Sequence, residues 1–230
     1  MQIHGFNKTT LLDYPGLVAA TIFTGSCNLR CPFCQNADLV LDPSSQPLIS
    51  EEDVLKHLKK RQGITKGICI TGGEPTLQKD LREFIIKCRD LGLKIKLDTN
   101  GYRPEILAGL LEDKLLDYVA MDIKSSPERY SEAAGVPIEI DRIALSVDML
   151  LEGSVPYEFR TTVTRELQAK EDFEKIGEFI KGAEKYFLQG YEDSERVIRP
   201  GFTAYSREEL EQFLPLFEGK VKRVEIRGVD

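Results

Sequence analysis

The sequence predicts an α/β fold, an incomplete (β/α)6 partial TIM barrel of parallel strands with helices outside. Three observations predict it. Short apolar, β-branched runs alternate with helical segments along the whole chain, the order that builds parallel sheets. Six main strands can be read, too few for the eight of a closed barrel. The 230 residues, 41% of them hydrophobic, suit one domain over 1–230 with a sizeable core.

Residues 1–16 form a lead-in segment ending in the turn Asp13-Tyr14-Pro15-Gly16, where Pro presets φ and Gly frees it. Residues 17–24 (LVAATIFT) read as the first buried strand, closed by Gly25-Ser26. Residues 37–50, with Pro43, Pro47 and three serines, read as a loop. Ser50 caps a helix that runs to Arg61, with Asp53 in its first turn. His57, alone on that helix, reads as a surface or half-buried side chain rather than a ligand. Residues 67–71 (GICIT) form the second strand, and a helix over 80–91 stops at Gly92. The third strand covers 93–97, a helix 104–111, and the fourth strand 117–121. Residues 126–151 hold helices around the turn Gly135-Val136-Pro137. The fifth strand is 157–163, followed by a helix over 171–181 and a sixth strand over 186–189. A charged loop, 190–201, leads to a helix over 206–217 capped by Ser206. Residues 220–230 close the chain, and 220–227 alternates charged and apolar residues as a half-exposed edge strand does.

No apolar run reaches the ~20 residues that span a bilayer. The first ten residues lack the apolar core of a signal peptide. The cytoplasm is therefore the expected compartment, with no membrane partner. The net charge of −7 and the absence of a Lys/Arg stripe argue against nucleic acid.

Three of the five cysteines, Cys27, Cys31 and Cys34, are spaced C-x3-C-x2-C in CNLRCPFCQN. Thiolates so close can converge on one inorganic centre, and cysteine thiolates are the usual ligands of iron–sulfur clusters. Three thiolates leave one iron of a cubane open, as a catalytic zinc keeps one open position. A structural zinc needs a fourth ligand, and neither His4 nor His57 sits at finger-like spacing. Three neighbouring cysteines cannot all pair as disulfides. Buried core thiols remain an alternative for them, and are the reading for Cys69 in a strand and Cys88 in a helix.

Polar groups recur where the strands end. Gly72-Gly73-Glu74-Pro75 follows the second strand, Asp98-Thr99-Asn100-Gly101 the third, and Asp122-Ile123-Lys124 the fourth. In a β/α barrel such ends meet at one mouth. Two glycines let backbone approach a ligand, and the carboxylate of Glu74 suits an ammonium group. Arg160, inside the fifth strand (EFRTTV), is costly to bury unless paired, and a carboxylate is its natural partner.

The cysteine motif, with aromatic Phe33 directly before the last cysteine, resembles the signature of the radical S-adenosylmethionine (SAM) superfamily. The resemblance implies a [4Fe-4S] cluster whose open iron chelates the SAM amino and carboxylate groups. It implies cleavage of SAM to methionine and a 5′-deoxyadenosyl radical. Gly72, Gly73 and Glu74 match the element that holds the SAM amino group. Phe33 would lie beside the adenine, and Asn36 matches an Asn that follows the motif. Lys124 and Arg160 match SAM contacts, and Gln189 stands where some relatives carry a His facing SAM. Asp98, Thr99 and Asp122, with the Ala120 carbonyl, match a monovalent cation site; hard oxygens fit a hard cation. DYPG, CNLRCPFCQN, TGGEPTL, LDTNG, DIK and EFRTTV together resemble the glycyl-radical-enzyme activases, specifically those of anaerobic ribonucleotide reductase in their longer form. The implied partners are that glycyl-radical enzyme and reduced flavodoxin or ferredoxin as electron donor. Gln35 departs from the His that many activases carry there. The rival readings are a small-molecule radical SAM enzyme resembling 7-carboxy-7-deazaguanine synthase, and an iron–sulfur electron carrier that needs no GGEP.

Overall fold

Strands and helices alternate along the chain, and the computed structural model describes residues 1–229. They fall into two units. The first comprises Met1–Asn28, Asn36–Thr99 and Glu105–Val119, and the second the remaining described residues.

The first unit holds β1 (Ile3–Thr10), β2 (Ala19–Thr24), α1 (Ala37–Leu41), α2 (Glu51–Lys60), β3 (Gly67–Gly72), α3 (Leu81–Asp90) and β4 (Lys94–Thr99). The helix α4 (Pro104–Glu112) lies almost wholly in it, and β5 (Tyr118–Asp122) begins there. Strand β1 runs antiparallel to β2; β2, β3 and β4 run parallel in that order. Strands β2 (AATIFT) and β3 (GICITG) read as near-continuous apolar runs because both faces are covered. Ile22, Ile68, Ile70, Ile95 and Leu97 are fully buried, as are Phe84 and Ile85 of α3 and Val54 and Leu58 of α2. Each such side chain contributes about 1.5–3 kcal/mol. Ser50 caps α2 as its sequence predicts, accepting the Asp53 N–H at 3.0 Å. Tyr14, in the Asp-Tyr-Pro-Gly turn, is buried against Ala19 and Tyr118.

The second unit continues with α5 (Tyr130–Ala134), α6 (Ile140–Leu151), β6 (Tyr157–Val163), α7 (Lys170–Phe179), β7 (Tyr186–Gly190), α8 (Arg207–Glu211) and β8 (Val224–Arg227). Strands β6, β7 and β8 run parallel in that order. Aromatic rings fill this core: Phe173 lies 4.5 Å from Phe213, and Tyr186 5.0 Å from Phe217, between ring centroids.

Four differences from the sequence reading stand out. The lead-in segment contains β1, which the alternation hides because only Ile3 and Thr10 are buried and the register shifts twice. The loop over 37–50 contains α1 and a 3-10 turn, Pro43–Ser45. The last helix stops at Glu211 and resumes as a 3-10 turn over Leu214–Phe217, where Pro215 removes a backbone donor. The closing strand is shorter, Val224–Arg227, and Asp230 of the expected segment lies outside the described residues.

Candidate functional site

In the first unit the turn after β3 presses on the segment leading into Cys27. The Gly73 N–H donates to the Thr24 carbonyl and the Glu74 N–H to the Ser26 carbonyl, both at 2.8 Å. A Cβ on Gly73 would stand 2.0 Å from the Ser26 oxygen. One on Gly72, at φ +118°, would stand 2.3 Å from the Thr24 nitrogen. Only glycine permits that approach. Ser26 itself takes the left-handed conformation (φ 70°) and donates its N–H to the Leu39 carbonyl at 2.8 Å. Asn36 donates its side-chain amide to the Gly72 carbonyl at 3.0 Å. Glu74 is buried, and one carboxylate oxygen accepts from the Thr76 N–H (3.0 Å), the Thr76 hydroxyl (2.6 Å) and the Thr99 hydroxyl (2.8 Å). Asn36, Gly72, Gly73, Glu74 and Thr99 are thus drawn together. Asp98 forms an ion pair with Lys96, two residues earlier on β4, and accepts from the Cys69 thiol at 3.6 Å. Lys96 is only 2% exposed.

In the second unit Asp122, Lys124 and Arg160 form one charged array. Arg160 Nε donates to Asp122 Oδ1 at 2.5 Å, and Lys124 Nζ to Oδ2 at 2.8 Å. Burial alone would raise the Asp122 carboxyl, but the Arg160 and Lys124 charges outweigh it and hold it well below the usual range. Burial likewise opposes the Lys124 charge, and Asp122 overcomes it, so that ammonium is pushed up. Lys124 also lies 5.9 Å from the ring centroid of buried Phe33. The Tyr130 hydroxyl donates to the Asp122 carbonyl at 3.2 Å. Gln189 is half-buried on β7, in register with Thr162 of β6 and Arg227 of β8.

The later part of the cysteine segment belongs to this unit and is tied down by distant backbone. Arg30 N–H donates to the Ala134 carbonyl at 2.8 Å, and Gly135 (φ +69°) would place a Cβ 2.1 Å from the Arg30 oxygen. Cys34 N–H donates to the Cys31 carbonyl at 3.0 Å. Ile198 N–H reaches the Cys34 carbonyl at 3.2 Å and Arg199 N–H the Pro32 carbonyl at 2.8 Å. Gln35 donates its side-chain amide to the Glu192 carbonyl at 3.2 Å. The residue that departs from the expected His is thus a tether for the strap over 191–201. The sequence reading missed that strap and Lys96. No local motif marks the strap; a lysine spaced i, i+2 from an aspartate in an apolar strand marks the other.

The cysteines fit an iron–sulfur cluster by type and spacing. Soft thiolates are what such clusters take, and none of the five cysteines is held in a disulfide. Among the described residues no three His, Cys, Asp or Glu side chains are gathered into a ready-made metal site. Ligation is therefore argued from residue type and spacing. Burial pushes the Cys31 thiol up to about 11 despite Lys124, so iron must displace a proton there.

A family model described as the Radical SAM superfamily matches residues 21–181. A putative glycyl-radical enzyme activating enzyme of Methanocaldococcus jannaschii is 32% identical over 196 residues, 83% of this chain and 80% of that protein. A probable GTP 3′,8-cyclase of Sulfolobus acidocaldarius is 33% identical over 66% of this chain, which spans only 49% of the cyclase. Among solved structures, Streptococcus suis SuiB bound to SAM shares the fold with a TM-score of 0.67 at 18% identity. That match covers 87% of this chain and 48% of SuiB.

Proposed function

Because this chain belongs to the radical SAM superfamily, we propose that it is a glycyl-radical-enzyme activase, acting on anaerobic ribonucleotide reductase. The family's cofactors are a [4Fe-4S] cluster and SAM. When bound and reduced, the cluster supplies the electron that splits SAM into methionine and a deoxyadenosyl radical, which takes a hydrogen atom from a backbone glycine of the partner. Cys27, Cys31 and Cys34 hold the cluster. Glu74 and the Gly72-Gly73 backbone take the SAM ammonium, with Asn36 fixing the Gly72 carbonyl. Phe33 lies beside the adenine, and Gln189 faces SAM. Lys124 and Arg160, both bonded to Asp122, are the cations offered to the SAM carboxylate. Reduced flavodoxin or ferredoxin supplies the electron.

The observation that carries this reading is the activating-enzyme relative, which is matched over four fifths of both chains. The test is incubation of the anaerobically reconstituted, reduced protein with SAM and an anaerobic ribonucleotide reductase, followed by electron paramagnetic resonance. A glycyl radical in the partner's C-terminal region is the expected result. SAM cleavage with no protein radical sinks the activase reading. A second reading, a radical SAM enzyme acting on a purine nucleotide, is favoured by the cyclase relative. It requires that GTP be consumed in step with SAM, and the activase reading requires that GTP be left intact.

A further inference from the structure

Thr24, Gly25 and Ser26 form a short arm that leads into Cys27, and the turn after β3 takes the carbonyls of all three. The consecutive amides of Gly73 and Glu74 bond the Thr24 and Ser26 carbonyls, both at 2.8 Å. The Gly25 carbonyl between them needs another donor. Pro75, next in the turn, has no N–H to give, and the Thr76 N–H is turned to the Glu74 carboxylate. The half-buried Gln78 side chain supplies the donor, Nε2 to the Gly25 carbonyl at 3.0 Å. Its Oε1 accepts the Gln2 N–H at 2.9 Å, and the Gln2 carbonyl accepts the Gly25 N–H at 3.1 Å. Three hydrogen bonds therefore close a ring through Gln2, Gly25 and Gln78. His4 covers the Cα of Gly25: a Cβ there would stand 2.6 Å from the imidazole ring, whose Nδ1 lies 3.1 Å from the Pro47 carbonyl. All of these residues belong to the first unit.

We propose that Gln78 is a positioning residue: its side-chain amide fastens the arm of Cys27 to the turn of Glu74, and so sets how tightly the SAM ammonium is held. Gln78 is itself part of that turn. It ends the 3-10 turn Pro75–Leu77, and its own N–H donates to the Pro75 carbonyl at 3.0 Å. One short segment thus carries the ammonium-binding carboxylate at one end and the lock on the arm at the other. SAM is held by the cluster and by Glu74 together, so its affinity depends on the two being fixed beforehand. With Gln78 removed, the arm keeps its bonds to Gly73 and Glu74. It stays folded but tilts more freely, and SAM must order it on binding.

This inference rests on the assignment of Glu74 to the SAM ammonium and not on the activase reading. Gln78→Met keeps the side-chain length and removes both side-chain bonds. Gln78→Glu keeps the acceptor for the Gln2 N–H and sets a second oxygen against the Gly25 carbonyl. The first readout is electron paramagnetic resonance of the anaerobically reconstituted, dithionite-reduced protein, titrated with SAM. Both variants are expected to take up iron as wild type does and to need about tenfold more SAM for the same change of signal, as loss of one or two hydrogen bonds predicts. Variants that respond at the wild-type SAM concentration overturn the proposal, even if they melt lower, since a merely structural glutamine gives that result. A wild-type signal that ignores SAM sinks the Glu74 assignment itself, and this inference with it. The second readout is hydrogen exchange of the iron-free protein, which needs neither cluster nor SAM. In wild type the Gln2, Gly25, Gly73 and Glu74 amides are expected to share one level of protection, because they open together. In the variants all four are expected to exchange about tenfold faster. A wild-type Gln2 or Gly25 amide that exchanges freely while Gly73 and Glu74 stay protected overturns the proposal. Should neither variant fold, that wild-type pattern decides it.

Discussion

Replacing Asp122 by Asn removes the one carboxylate that holds Lys124 and Arg160 together. The three side chains are 26%, 13% and 17% exposed, so solvent screens the contacts far less than at an open surface. Two charge-assisted contacts are lost, one to Lys124 and one to Arg160. Removing one partner from a buried ion pair costs about 3–5 kcal/mol, and the partial exposure puts this case near 3. At about 2–4 °C per kcal/mol for a chain of this size, the melting temperature should fall about 6–12 °C. The pH dependence has a definite sign. The folded Asp122 carboxyl is held low, so its contribution is present above the unfolded value of about 3.9 and is lost as pH falls toward the folded one. Thermal melts of both proteins from pH 8 down to pH 3 should show a constant gap to about pH 5 that narrows below it. A gap under about 1 kcal/mol at neutral pH, or one that widens in acid, refutes the argument.

Gly73→Ala puts a methyl 2.0 Å from the Ser26 oxygen, so the 2.8 Å bond from Glu74 N–H to that oxygen must break. Iron content after reconstitution should fall at least severalfold, and a full complement of iron counts against the close-approach reading. Gln35→Ala loses one exposed hydrogen bond to Glu192. It should cost about 0.5–1.5 kcal/mol and speed hydrogen exchange at the Ile198 and Arg199 amides; unchanged exchange refutes the tether. The Cys31 thiol, pushed up to about 11 by burial, should be alkylated at pH 8 about two to three orders of magnitude more slowly than an ordinary thiol. Peptide mapping after iodoacetamide treatment of the iron-free protein measures this, and rapid labelling of Cys31 contradicts it. Arg160→Ala should weaken SAM binding about 10–100-fold through loss of a charge-assisted contact. Equilibrium dialysis checks it, and unaltered binding removes Arg160 from the SAM set.

Much of the architecture was legible because parallel strands announce themselves. Residues 157–163 read as a strand with the bounds that the structure gives β6, since YEFRTTV is β-rich and flanked by breakers. Strand β1 was not legible, because a bulged edge strand with mostly exposed residues has no clean alternation. Helix α1 was hidden for a different reason: at five residues with no side-chain cap it owes its existence to tertiary contacts such as Ser26 N–H to Leu39. At the candidate site, sequence read the strand-end motifs but not their internal pairing. Lys94, Lys96 and Asp98 alternate with Ile95 and Leu97 in the sequence, yet Ile95, Lys96 and Leu97 are all buried. Strand β4 is covered on both faces, and a charge there must find its partner within the protein.

The backbone ties between the cysteine segment and residues 192–199 bear on the timing of maturation in the cell. Gln35 and Arg199 lie 164 positions apart in the sequence, which at about 5–20 residues per second is roughly 8–33 s of translation. For that interval all three cysteines have been made while the amides that hold Pro32 and Cys34 have not. A nascent chain stalled at Gly190 should therefore be a poor acceptor of iron, although it carries Cys27, Cys31 and Cys34, the three proposed ligands. Iron uptake by such a stalled chain equal to that of the 230-residue protein would show that these ties are not needed for cluster delivery.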